Sequence, residues 1–119
     1  MCIRDRWIKG KSAPGFGPVG PWLVTADEVP DPQALSLSLT LNGAVVQSSG
    51  TDDMVFGVAE IISYMSQFMR LQPGDIIATG TPSGVGLGMT PPRFLAPGDV
   101  LEVEVEGLGK QRQTIIKAR

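Results

Sequence analysis

A chain of 119 residues, 42% hydrophobic and 18% charged, with 15 Gly and 10 Pro, has the length and composition of one small folded domain, neither disordered nor fibrous. Its net charge of −2, with acids and bases interspersed, leaves no electrostatic footprint for nucleic acid or a membrane surface, and no apolar run approaches the ~18 residues of a membrane span. The single Cys2 excludes an intrachain disulfide, and the lack of any histidine removes the commonest general base at neutral pH and the commonest ligand of softer metals.

The chain opens on Met1-Cys2-Ile3-Arg4-Asp5-Arg6, which has neither the apolar stretch nor the small-residue cleavage site of a signal peptide. It runs directly into Trp7-Ile8-Lys9-Gly10-Lys11-Ser12, which reads like the middle of a protein. We expect residues 1–6 to be a non-native leader, the alternative being an ordinary short native start, and the location to be cytoplasmic.

Residues 11–21 carry three prolines and three glycines around Phe16 and Val19, so they form a loop and not helix or central strand. Residues 22–25 read as a short strand and 26–32 as turn chemistry. Leu35-Ser36-Leu37-Ser38-Leu39-Thr40-Leu41 alternates with period two, placing the leucines against a core and the hydroxyls outward. Asn42-Gly43 is a strong type I′ hairpin signal, with 44–47 as the partner strand. Over residues 54–69, Val58, Ile61, Ile62, Met65, Phe68 and Met69 recur at helical spacing, and the helix they predict packs on the sheet, with Asp52 and Asp53 as its caps. Its methionines suit irregular gaps in a core better than a cofactor.

The apolar run 75–78 predicts a buried strand that gives way to Thr79-Gly80-Thr81-Pro82-Ser83-Gly84-Val85-Gly86, with a further glycine at 88. The loop continues to Pro97-Gly98, and so long an irregular stretch is uncommon in a compact domain unless it binds something. Residues 79–88 are therefore expected to wall a site; the plainer alternative is a surface turn that needs glycines for positive φ. Beyond it, Val100-Leu101-Glu102-Val103-Glu104-Val105-Glu106 alternates strictly, and Gly107-Leu108-Gly109 turns the chain into a return strand near 111–116. Glu102, Glu104 and Glu106 share one face, a pattern able to hold a hard divalent cation. Lys110, Arg112 and Lys117 on the partner strand explain it more simply as cross-strand charge pairing. The fold class is thus mostly β with one covering helix (α+β), a rolled sheet or sandwich-like barrel.

Several of these segments together resemble the fumarylacetoacetate hydrolase family. They are Lys9-Gly10-Lys11-Ser12, Gly17-Pro18-Val19-Gly20-Pro21-Trp22-Leu23-Val24-Thr25, the Leu-x-Leu strand ending at Asn42-Gly43, Ile61-Ile62-Ser63-Tyr64-Met65-Ser66, and above all Gly74-Asp75-Ile76-Ile77-Ala78-Thr79-Gly80-Thr81-Pro82-Ser83-Gly84-Val85-Gly86. They follow the family's order and spacing over about residues 7–119 and match the carboxy-terminal part of its catalytic domain. The resemblance implies an incomplete β-roll, a homodimer, Mg²⁺ or Mn²⁺ in the complete protein, and a small 2-oxo or 1,3-diketo acid as substrate. The reaction it implies is C–C bond hydrolysis, with isomerases, decarboxylases and lyases on the same scaffold. Gly88-Met89-Thr90-Pro91-Pro92-Arg93 looks most like members that hydrolyse diketo-deoxy sugar acids, often labelled ureidoglycolate lyases.

Carried over by position, Lys11 matches the family's active-site lysine, whose ammonium can steady an enolate or carbonyl oxygen. Thr81 matches its substrate-contacting threonine, and Gly80 would allow close backbone approach to a carboxylate. The family's metal ligands, a Glu-x-Glu pair and an Asp, lie upstream of the Lys-Ser motif, as does its acid-base histidine. This chain alone is therefore expected to bind no metal at a family-type site and to be inactive. A non-catalytic carboxylate-binding or dimerisation module is the alternative from outside the enzymes.

Overall fold

The computed structural model describes residues 11–117. The leader expected at 1–6 lies outside them. Two hairpins make up the sheet. In the first, β1 (Ser36–Leu41) pairs with β2 (Ala44–Gly50), and Asn42 and Gly43 at the turn have φ of 52° and 84°, the two positive values a type I′ turn needs. In the second, β3 (Val100–Val105) pairs with β4 (Gly109–Thr114). Antiparallel pairing of β1 with β3 joins them into one sheet of order β2-β1-β3-β4.

Register sorts the side chains as the alternation predicts. Leu37, Leu39 and Leu41 lie opposite Val105, Val103 and Leu101, giving one apolar face. The other face carries Ser38 and Thr40 opposite Glu104 and Glu102, with Arg112 and Lys110 beyond. Glu102 meets Lys110 Nζ at 3.5 Å and Arg112 Nε at 3.6 Å, so its charge is spent on cross-strand pairs. Lys117 has no part in these pairs.

The β1–β2 register contains one irregularity. Thr40 opposes Val45 but Leu39 opposes Gln47, so Val46 is the extra residue of a β-bulge. Without the bulge Gln47 would oppose Ser38 and sit on the polar face; with it, Gln47 shares the leucine face.

The helix is shorter than its apolar periodicity suggests: α1 spans Val58–Met65. Gly57 in extended conformation starts it, and Phe68 and Met69 fall in a turn where both N–H groups share the Met65 carbonyl. Asp52 and Asp53 do not cap it. They belong to a 3₁₀ turn, Thr51–Asp53, and Asp53 instead accepts a bond from Ser49. The first helical N–H, of Val58, is satisfied from a distance by Gln33 Oε1 at 2.6 Å, while Gln33 Nε2 donates to the Thr51 carbonyl at 2.7 Å.

Three further expectations are corrected. Residues 22–25 and 75–78 form no strand, because no described segment offers either run a ladder of backbone partners; Ile76 is accordingly 74% exposed. The helix does not seal the sheet: close packing between elements is confined to the strands, and among the described residues no apolar side chain is buried. A single sheet with one eight-residue helix cannot cover both of its faces, so the leucine face stays half-buried; the fold is mostly β with one helix, as the sequence predicts, and its described strands form one four-stranded antiparallel sheet. Among the described residues no helix is long and apolar enough to cross a membrane.

Candidate functional site

Because α1 stands off the sheet, a cavity of about 270 Å³ opens between them, bounded by Leu37 and Ser49 of the sheet, Phe56 and Ile61 at the helix, and Gly80 and Thr81 of the long loop. The loop that the sequence marks as a site wall is thus the wall of a cavity. Gly80 has φ of 102°, which an L side chain rarely adopts, so the chain can turn there and present the Thr81 hydroxyl.

Thr81 is held by a residue that periodicity alone assigns only to a strand end. The bulge at Val46 aims Gln47 at the loop, where its side chain is buried with 8% exposure. Gln47 Nε2 lies 2.9 Å from Thr81 Oγ1, 2.8 Å from the Pro82 carbonyl and 3.2 Å from the Ser83 carbonyl. Close approach of the loop to β2 also requires Gly84, since a Cβ there would overlap the Val46 carbonyl, and its φ of 101° is left-handed.

The far end of the loop is closed by a second cluster. The Arg93 N–H donates to the Gly86 carbonyl at 2.9 Å, with a 3₁₀ turn, Gly86–Gly88, between them. Asp99, 7% exposed, accepts from the Ala96 N–H at 2.7 Å, Asn42 Nδ2 at 2.9 Å and Arg93 Nη2 at 2.7 Å. These donors, the Ala96 amide first, then Asn42 and Arg93, hold its carboxyl down to about 2 from 3.8. Asn42 also accepts from the Val100 N–H at 2.8 Å, so the hairpin turn, the loop and β3 meet at one carboxylate.

Gly80 and Thr81 are therefore brought together at the cavity. Lys11 is exposed at the start of the described chain and does not line it. Gln47, Arg93 and Asp99 complete the arrangement and escape sequence reasoning, Gln47 because its face depends on a bulge that no periodicity records. Among the described residues, no group of three or more Cys, Asp or Glu could hold a metal ion.

This combination of a Gly-Thr-Pro loop, an antiparallel sheet and a flanking helix is that of a known catalytic-domain class. Residues 2–116 match the fumarylacetoacetate (FAA) hydrolase C-terminal family, and the chain belongs to it. A Burkholderia lata protein named provisionally as a hydrolase is 55% identical over 115 residues, covering 96% of this chain and 41% of its own length. The chain thus spans about two-fifths of the curated relatives it matches. Among solved structures, fumarylacetoacetate hydrolase from Exiguobacterium antarcticum superposes with a TM-score of 0.88 at 45% identity, over 93% of this chain and 39% of that one. Maleylpyruvate hydrolase from Sphingobium sp. SYK-6, in complex with manganese(II) and pyruvate, gives 0.79 at 39% identity over 87% of this chain and 37% of its own. The 2-hydroxyhepta-2,4-diene-1,7-dioate isomerase from Mycobacterium marinum gives 0.82 at 38% identity over 95% and 41%. Relatives of this chain therefore include both hydrolases and isomerases.

Proposed function

We propose that residues 7–119 are the carboxy-terminal part of the catalytic domain of a divalent-metal-dependent enzyme that hydrolyses a C–C bond in a small 2-oxo or 1,3-diketo acid, of the acylpyruvate or 2,4-diketo-3-deoxy sugar acid type. The observation that carries this reading is Gly80-Thr81 in the wall of the cavity, where a hydroxyl and a glycine-opened backbone can receive a carboxylate. Similarity to a maleylpyruvate hydrolase that holds manganese and pyruvate supports it. Lys11 would hydrogen-bond the enolate or carbonyl oxygen of the substrate. By the resemblance to the family, whose metal ligands lie upstream of the Lys-Ser motif, Mg²⁺ or Mn²⁺ is assigned to upstream sequence of a longer, homodimeric protein; bound there, such a cation would act as a Lewis acid toward the 2-oxo acid.

The relationship to an isomerase favours one alternative, rearrangement of the same class of acid without attack by water. Product analysis separates the two, since hydrolysis yields two shorter acids and isomerisation one product of unchanged mass. The test begins at the source locus upstream of the Trp7 codon. An in-frame Glu-x-Glu pair and an Asp should precede the Lys-Ser loop, and the protein from the complete reading frame should cleave diketo acids only with Mg²⁺ or Mn²⁺. The 119-residue chain assayed alone should be inactive, and Mg²⁺-dependent turnover by it would overturn that half of the proposal. The same locus decides whether residues 1–6 are the non-native leader expected from the sequence. A genuine start at Met1 with no turnover would leave a carboxylate-binding or dimerisation module instead.

A further inference from the structure

We infer that Gln47 is the positioning residue of the proposed site: it fixes Thr81 Oγ1 as a hydrogen-bond acceptor, so that the hydroxyl proton is free to be donated to the substrate carboxylate. The inference rests on the function proposed above and adds a residue that has no role in it so far.

The orientation of the Gln47 amide follows from its neighbours. Its nitrogen faces the Pro82 and Ser83 carbonyls at 2.8 and 3.2 Å; turning the amide over would set its oxygen against both, acceptor against acceptor. With the nitrogen so placed, its 2.9 Å contact with Thr81 Oγ1 uses an oxygen lone pair of the hydroxyl. Among the described residues the hydroxyl proton then has one acceptor within reach, Gln47 Oε1, at a longer 3.2 Å. A carboxylate oxygen arriving from the cavity is a charged acceptor and displaces that weaker neutral bond, because charge-assisted hydrogen bonds are about twice as strong. Donation from Nε2 into Oγ1 polarises the O–H in the same direction. Gln47 therefore holds the hydroxyl in place and leaves its proton available.

Burial makes the arrangement obligatory. Gln47 is 8% exposed on the leucine face, where an amide without partners would be costly, so the loop must stay over β2 to satisfy it. The bulge at Val46 is what puts it on that face, and Gly84 is what lets the loop come close enough.

The test uses the protein encoded by the complete reading frame that carries this chain, with an acylpyruvate as substrate and Mg²⁺ or Mn²⁺ present. Gln47→Leu should raise KM about tenfold or more, as loss of one hydrogen bond to a charged group does, with kcat much less affected. Thr81→Val should do the same, and the double variant should be no worse than Thr81→Val alone, because Gln47 acts through that hydroxyl. Gln47→Met guards against a folding failure: it keeps size without burying a charge and can neither donate to the 81–83 segment nor accept the Thr81 proton, so KM should rise again while circular dichroism shows the protein folded. Losses that add in the double variant, or a fall in kcat alone, would make Gln47 a merely structural residue and overturn the inference. A wild-type protein that turns over no such acid would instead overturn the proposed function, and the inference with it, so the two failures are distinct.

Discussion

At Asp99 a single carboxylate ties three parts of the chain, and its ionisation makes the tie dependent on pH. The Ala96 N–H, Asn42 and Arg93 all favour the charged form, so the folded carboxyl titrates at about 2, below the 3.8 of the free group. A folded value below the unfolded one means stability that is complete above about pH 4 and lost as pH falls toward 2. Replacing Asp99 by Asn removes the charge and sets an amide NH₂ among donors. The variant should unfold at a lower urea midpoint at pH 7, and the gap from wild type should close on titration from pH 4 to 2. A gap that is unchanged across that interval would mean that the cluster does not depend on the charge of Asp99. Neither this residue nor Gln47 is legible as a keystone in the sequence. Asn42-Gly43 announces its turn through backbone geometry, yet the side-chain amide that reaches Asp99 spans 57 positions, and no local pattern records so distant a partner.

Elements whose cause is local are those that sequence reading places well. The period-two leucines and the alternating Val-Glu run became β1 and β3 with the expected alternation of faces, since side-chain alternation is a property of the strand itself. The runs at 22–25 and 75–78 have the composition of strands but no ladder partner among the described residues, and a strand is made by its neighbour as much as by its own residues. The long loop lies between these cases: its glycines can be read, but which of them are indispensable cannot. At Gly86 a Cβ would overlap the Arg93 carbonyl, whereas at Gly88 it would meet only Val85 Cγ2 at 4.0 Å with no left-handed φ. Gly86→Ala should therefore cost about 2 kcal/mol or more by forcing the loop apart, while Gly88→Ala should stay within about 0.5 kcal/mol of wild type. Denaturant midpoints of the two variants measure this directly, and equal midpoints would show that the loop is not closed on Gly86.

At the scale of the whole molecule, the described residues have abundant apolar surface and little to cover it. Leu23 and Val55 are each 88% exposed and Phe68 is 70% exposed, and no apolar side chain among the described residues is buried. The radius of gyration, 15.7 Å, exceeds the ~13.5 Å expected of a compact domain of this length. Apolar area left in water contributes no stabilisation, at roughly 25 cal/mol per Å², so the hairpins hold chiefly through their ladders and side-chain clusters. Patches of this kind on a folded surface mark places where protein packs on protein. The relatives, of which this chain spans about two-fifths, offer the simplest source of such a cover. The 119-residue chain purified by itself should then bind a hydrophobic dye strongly and elute as self-associated species in light-scattering chromatography. The protein from the complete reading frame, if longer, should bind little dye and elute as a defined oligomer, with a dimer expected. A monomeric chain that binds no dye would show that its apolar faces close on one another in solution, and the half-buried leucine face would then be wrong.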